Sequence, residues 1–500
     1  MIITGGKPTQ DGKYTLDSSV LVLRWREEDD KGSWIRREEI VRDFKPYGFV
    51  NSHNVYERNE HLPPYLPNAY RNLKVYEVEN AVKRTGGATL IKKTDAVDLQ
   101  GNPLWKVEFD SPTKMRWFKR KYNHDVVPHG YERRHDINGL FEMDVPYGDR
   151  YLLDKKSTLP AYKPRLLFFD LESTQFTREE SPRYPHLDKD GHDYRGHQEI
   201  NTIGCYDNYS EKYVQWFQHP EITPVTTTEE FEGHTVEVRK FDDEKDMLQD
   251  WVEWLDMIDP DMLLAWASGF YDLPTLYTRL EATGVGADKL SPSSIGSERF
   301  MHPVNTYERQ YGKYGDKEQC IVGRIVVDLK ELFGRVYMDT TSQPLPSKSL
   351  DNVGMQVFGR GKTDWKPDFW AKDYIKDEWK FLFYNWRDVE LMVALENQFN
   401  VIDLHMQMQQ LCGCTFVSTQ YATGFGRIYL MRKAPFKQIC DTNAWIKRGT
   451  DYDGALVLDP EERGGVGLLK NVAIIDYAGL YPAMTVSKNI DYTTIVEEEE

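Results

Sequence analysis

The chain has 500 residues, too many for one hydrophobic core, so about two to four domains are expected. Its 40% hydrophobic and 13% aromatic residues suit an ordinary folded polypeptide, and no apolar run approaches the roughly 20 residues of a spanning helix. A net charge of −17 excludes a protein that coats nucleic acid by bulk charge, while leaving room for a local basic groove over an acidic catalytic floor.

The opening MIITGGKPTQDGKYT lacks the basic and then apolar pattern of a secretory signal. The five cysteines, Cys205, Cys320, Cys412, Cys414 and Cys440, are scattered and odd in number. Reduced thiols in an intracellular protein with no membrane partner are therefore expected. Cys412 and Cys414 have half the spacing of a metal site but no second pair, so a structural role is the simpler reading.

In chain order, short β-rich runs such as SVLVLRW and FKPYGFV alternate with charged turns as far as about residue 164. They predict a small mixed α+β domain. A sharper unit follows, with strands predicted over 165–169 (RLLFF), 200–207 (INTIGCYD), 213–218 (YVQWFQ) and 236–241 (VEVRKF). Met247, Leu248, Trp251, Val252, Leu255 and Ile258 recur at helical spacing. A strand at 262–266, a helix at 273–280, a strand at 323–329 and a long, largely buried helix over 378–399 complete a multidomain α/β organisation. After residue 400 a helical stretch leads to YDGALVL, with strand character, and then to IIDYAGLYPAM.

Four acids stand out. FFDLES places Asp170 and Glu172 two apart at a strand's end, so both carboxylates point to one face, an arrangement that suits half of a hard, oxygen-liganded cation site and equally a pair of acids facing solvent. Asp272 lies between a strand and a helix with Pro274 in its first turn. An N-cap role explains that position without chemistry. Tyr384 and Asp388 are four apart on the long helix and share a face. Asp388 continues an apolar stripe, where an unpaired carboxylate is costly. Metal ligation would relieve that cost, as would solvent or an arginine.

Taken in order, D-x-E, then Asp, then Y-x-x-x-D, each on its element, resemble the DEDDy 3′–5′ exonuclease domain, a ribonuclease-H-like fold. More closely they look like the proofreading domain of family B DNA polymerases of archaeal or viral type. GRIVVDLKELF and SKSLDNVGMQVFGRGK look like that family's strand and loop before its third exonuclease motif, and VPYGDRYLLDK like its lead-in. The resemblance implies that Asp170, Glu172 and Asp388 hold one Mg²⁺ or Mn²⁺ and that Asp170 with Asp272 holds a second. It makes Tyr384 the residue that orients the attacking water. Two such ions act together on a phosphodiester. One departure is Ala267, which stands where the family usually has Asn and implies an altered contact with the primer end.

YDGALV, with Tyr452 and Gly454, and then DYAGLYP look like the family's DNA-contacting Y-x-G-G/A element and polymerase motif A. The resemblance implies that Asp476 ligates the metals of an incoming deoxynucleoside triphosphate. Leu480 and Tyr481 would line the nucleotide, with Tyr481 excluding a 2′-hydroxyl. Asp441-Thr442-Asn443 precedes motif A and reads as a turn.

The domains so expected are 1–160, completed by about 400–440; the exonuclease domain over 161–399; and the start of a polymerase palm over 441–500. The implied partners are primer-template DNA, a sliding clamp, and further polypeptide carrying the fingers, D-T-D motif and thumb. The expected function is replicative DNA synthesis with proofreading, this chain alone trimming 3′ ends without extending them. Two rival readings stand beside it: a stand-alone DEDDy exonuclease, and a catalytically silent scaffold subunit of a replisome.

Overall fold

The computed structural model describes residues 2–5, 20–50, 53–58, 70–76, 82–83, 85–98, 103–126, 140–173, 198–269, 271–299, 301, 321–363, 377–433, 439 and 479–489. Its first part holds three small sheets. Strands β1 (Ile2–Gly5), β2 (Leu21–Glu28) and β3 (Trp34–Val41) form one. Strand β4 (Tyr47–Val50) precedes a separate two-stranded sheet of β5 (His53–Arg58) and β6 (Tyr70–Tyr76). β4 itself belongs to a four-stranded sheet with β7 (Ala88–Val97), β8 (Pro103–Phe109) and β9 (Leu140–Phe141). Helix α1 (Pro112–Val126) packs on that sheet through Met115 and Phe118, and α2 (Tyr147–Lys155) leads out of this part.

The centre is a seven-stranded mixed sheet. It contains β10 (Leu166–Ser173), β11 (Ile200–Asp207), β12 (Lys212–Gln218), β13 (Val225–Phe231), β14 (His234–Phe241), β15 (Met262–Ala265) and β16 (Ile325–Asp328). Their spatial order is β13-β14-β12-β11-β10-β15-β16. β10, β15 and β16 run parallel, and β11 is antiparallel to β10.

Side chains of β10 alternate between two cores. Leu167, Phe169 and Leu171 face α3 (Glu244–Ile258) and α4 (Asp272–Ala282). Leu166 and Phe168 face α5 (Leu329–Thr341), α6 (Leu350–Phe358) and the long α7 (Glu378–Phe399). Period-two alternation carries Asp170 and Glu172 to the second face, where α7 crosses. Both faces are covered, which is why β10 and β15 read as continuous apolar runs.

Two local expectations need amendment, and one strand carried no expectation. The segment read as a loop, SKSLDNVGMQVFGRGK, contains α6, with Ser349 Oγ accepting the Asn352 N–H at 3.3 Å and Gly359 ending it at φ 68°. The polar run VTTTEEF is a strand, β13, joined to β14 by Glu232-Gly233 with φ of 47° and 85°. Two positive φ values are what a two-residue hairpin turn needs to match strand twist. Asp272 is the first residue of α4 rather than its N-cap, a position held by Tyr271.

Beyond α7 come α8 (Val401–Cys412), α9 (Phe416–Thr419) and α10 (Ala422–Lys433). They return to α2. The buried Asp149 accepts the Thr415 N–H and the Ser418 hydroxyl, each at 2.5 Å, and Arg427 grips Asp144 at 2.7 and 2.8 Å. Cys412 and Cys414 are free thiols in an apolar cluster there. At the other edge, Arg24, Arg26 and Arg36 of the first sheet reach Asp259 and Asp261, which lie just before β15. Helix α11 (Leu480–Ser487) follows Gly479, whose φ is 66°. Among the described residues no helix is long and apolar enough to cross a membrane.

Candidate metal centre

At the carboxyl end of the parallel strands, Asp170, Glu172 and Asp388 converge. One carboxylate oxygen from each lies within 4.8 Å of the others. Asp170 and Glu172 are half-buried on β10, whereas Asp388, on α7, is buried. Asp272 lies outside that trio but beside it. The Leu171 backbone hydrogen-bonds its carboxylate, and among charges Asp170 acts on it most strongly. The ends of parallel strands are where α/β sheets commonly hold ligands, and here the sheet supplies two acids, the following helix one, and the crossing helix one.

The electrostatics follow from the crowding. Burial first, and then Asp388, push the Asp170 carboxyl up to about 8. Burial together with Asp170 and Asp388 raises Glu172 well above the ordinary range, and burial with Asp170 does the same to Asp272. Burial also raises Asp388, although Lys362 opposes it. Tyr384, one turn before Asp388, has its phenol raised by burial and by Glu172, so it remains an O–H donor at neutral pH.

Sequence reasoning missed three residues of this centre. Lys362, on the segment after α6, forms an ion pair with Asp388 Oδ2, and its ammonium is 5.6 Å from the Tyr384 ring centre. Its chain is pinned by Arg360, which donates to Glu390 at 2.9 and 2.5 Å, and by its own N–H on Asp351 Oδ1 at 2.8 Å. Asn385, fully buried, donates to Asp170 Oδ2 at 2.8 Å. Its own oxygen accepts from Gln215 Nε2 at 2.9 Å. Gly204 on β11 makes room for that amide: a Cβ there would stand 2.5 Å from Asn385 Oδ1. Only the spacing of Asn385 and Asp388 on one helix hinted at the arrangement, and tertiary contacts supply the rest.

The donor set suits a hard divalent cation. All candidate ligands are carboxylate oxygens, and buried Asp388 Oδ1 has no hydrogen-bond partner among the described residues. One ammonium cannot neutralise four crowded acids. Added positive charge is what this centre lacks.

Residues 138–353 match the exonuclease domain of DNA polymerase family B, and residues 415–500 match the DNA polymerase family B domain. The chain belongs to the family B DNA polymerases. Among relatives of this family B chain, the DNA polymerase of Thermococcus litoralis is 24% identical over 486 residues, covering 92% of this chain and 24% of that protein. The DNA polymerase of Desulfurococcus sp. (strain Tok) is 24% identical over 519 residues, covering 100% and 55%. The DNA polymerase delta catalytic subunit of Oryza sativa subsp. japonica is 27% identical over 274 residues, covering 53% and 24%. The family B chain thus spans between about a quarter and about half of the length of these relatives. Asp170, Glu172 and Asp272 fall within the exonuclease match, whereas Tyr384 and Asp388 follow it.

Of the candidate polymerase residues, Tyr452, Gly454 and Asp476 lie outside the described residues. Leu480 and Tyr481 open α11 and are exposed, Tyr481 by 81%.

Proposed function

We propose that this chain carries the 3′–5′ exonuclease site of a family B DNA-directed DNA polymerase, on a ribonuclease-H-like domain spanning about 161–399. On this reading residues 1–160 with about 400–440 form the amino-terminal domain, and 441–500 belong to the palm. The observation that carries the reading is the convergence of Asp170, Glu172 and Asp388 within 4.8 Å, with Asp272 alongside, in a family whose exonuclease domain the chain matches.

Asp170, Glu172 and Asp388 would hold one Mg²⁺ or Mn²⁺, and Asp170 with Asp272 a second. Such ions, when bound, activate water and neutralise charge developing on a phosphodiester. The protein's own residues do the placing. Asn385 fixes the rotation of Asp170, so its free oxygen is aimed before any ligand arrives. Tyr384 retains its proton and offers an O–H at the cluster's edge to orient the attacking water. Lys362 supplies a positive charge for the phosphate once Asp388 is otherwise engaged. In the palm, Asp476 would serve triphosphate binding, Leu480 and Tyr481 the nucleotide, and Tyr452 and Gly454 the DNA.

The test is digestion of a 5′-labelled, 3′-mismatched primer on its template by the full chain with Mg²⁺. Shortening from the 3′ end is expected, with loss in Asp170→Ala and in Asp388→Ala at unchanged fold by circular dichroism. Undiminished digestion by Asp388→Ala would sink the assignment.

A further inference from the structure

Alternation along β10 puts Leu167, Phe169 and Leu171 on the face packed against α3 and α4, and Ser173 continues that line. Ser173 is buried, and it follows an irregularity in the pairing of β10 with β11, between Glu172 and Ser173. Irregularities of this kind re-aim side chains beside active sites. Here the Ser173 and Tyr271 hydroxyls share a hydrogen bond at 2.5 Å, on the α3 and α4 side of β10.

That bond closes a gap. The ladder between β10 and β15 runs from Leu166 to Phe168 on β10, so Asp170, Glu172 and Ser173 lie past its end. The segment that leaves β15 for α4 is held on the other side, towards β16, where the Ala267 N–H donates to Asp328 Oδ1 at 3.1 Å. The Leu273 N–H reaches back to the Ser268 carbonyl at 3.0 Å and rounds the turn into the helix. Tyr271 then ties the start of α4 to β10, and the Leu171 backbone does so through Asp272 itself. The Tyr271 ring packs against the core between sheet and helices, so its hydroxyl is carried on an anchored side chain. Asp272 needs such a tie. Oxygens of Asp170, Glu172 and Asp388 meet within 4.8 Å, whereas Asp272 stands outside that trio on another element.

We propose that Ser173 and Tyr271 are a positioning pair for the second cation, their bond setting how far Asp272 stands from Asp170, which rests on the exonuclease reading above. Two cations act together on a phosphodiester when held about 3.5–4 Å apart, so the first residue of α4 has little latitude. The ion shared by Asp170, Glu172 and Asp388 depends on β10 and α7 and does not need the pair. Neither hydroxyl touches cation or substrate; both act through Asp272.

Calorimetric titration of the full chain with Mn²⁺ alone tests this. Tyr271→Phe combined with Ser173→Ala removes both hydroxyls and leaves no orphaned polar group, so the fold should lose little. The wild-type chain is expected to take up two ions. The double variant should leave one event unchanged and weaken the other about 10- to 100-fold, the same event that Asp272→Asn weakens. Added to Asp272→Asn, the two substitutions should have no further effect. Ser173→Thr keeps the hydroxyl and should keep both events. Two events unchanged in the double variant, or both weakened alike, overturn the positioning role and leave the acids' assignment standing. Uptake of one ion by the wild-type chain overturns the second site, and uptake of none overturns the metal centre and the pair with it.

Discussion

Asn385 grips Asp170 twice, donating to its Oδ2 at 2.8 Å and to its backbone carbonyl at 3.2 Å. The grip is itself held, because the Asn385 oxygen accepts from Gln215, whose amide also reaches the Leu382 carbonyl at 3.1 Å. A buried, largely satisfied amide chain of this kind fixes one rotamer of the acid it ends on.

Removing the grip should cost function more than fold. Asn385→Ala is expected to lower cation affinity or exonuclease activity about 10- to 100-fold. Gly204→Ala should act on the same contact from the other side, forcing Asn385 away and destabilising by about 1–3 kcal/mol. Activity assays with thermal melts separate the two effects. Full activity in Gly204→Ala would mean that the amide can move without consequence.

Cation binding should be linked to proton release. The Asp170 carboxyl is raised to about 8, mainly by burial and then by Asp388. A raised acid contributes stability that is complete below its unfolded pKa and is lost as pH rises through the folded value. The cation-free fold should therefore weaken towards alkaline pH, while ionised ligands bind the cation better. Mg²⁺ is expected to raise Tm more at about pH 9 than at about pH 6. Calorimetry in buffers of different ionisation enthalpy should count the protons released, and equal stabilisation at both pH values would contradict the linkage.

The arginine cluster at the first sheet should respond in the opposite sense. Burial would raise Asp259, but Arg24, Arg36 and Arg324 outweigh it and hold the carboxyl well below its usual range. The stability so gained is present above the unfolded pKa and disappears as pH falls through the depressed value. Asp259→Asn leaves Arg24 and Arg324, both fully buried, short of countercharge, at a cost of about 3–5 kcal/mol. Urea melts across the acidic range should show a lower and flatter profile for the variant.

Ala267 has a φ of 65°, a left-handed conformation that costs a residue with a Cβ about 1–2 kcal/mol. Its N–H donates to Asp328 Oδ1 at 3.1 Å, which holds the backbone there. Ala267→Gly is expected to gain up to about 1 kcal/mol, and Ala267→Asn part of that. A lower Tm in both would show that the strain is relieved by some other contact.

What the sequence displayed and what it hid divide along physical lines. The apolar run RLLFF announced the strand, because both sides of β10 are packed, and the period of two in FFDLES announced the shared face of its acids. The apolar spacing over 246–258 and the length of 378–399 marked α3 and α7 for the same reason. β13 was missed because an edge strand exposes threonines and glutamates and carries little apolar signal, although its Glu-Gly turn was visible. The helix α6 was legible in Ser349, Leu350, Val353 and Gly359, yet family likeness suggested a loop. Lys362 and Asn385 could not be found from pattern, since each matters only through a partner remote in the chain.

That remoteness affects how the protein is made. Asp170 and Asn385 are 215 residues apart, a stretch that takes roughly 10–40 s to translate at about 5–20 residues per second. Until α7 leaves the ribosome, the nascent sheet lacks part of the cover over Leu166 and Phe168, and Asp170 lacks the grip of Asn385. A chaperone that shields this one face during elongation would be serving the interval that the order of synthesis imposes.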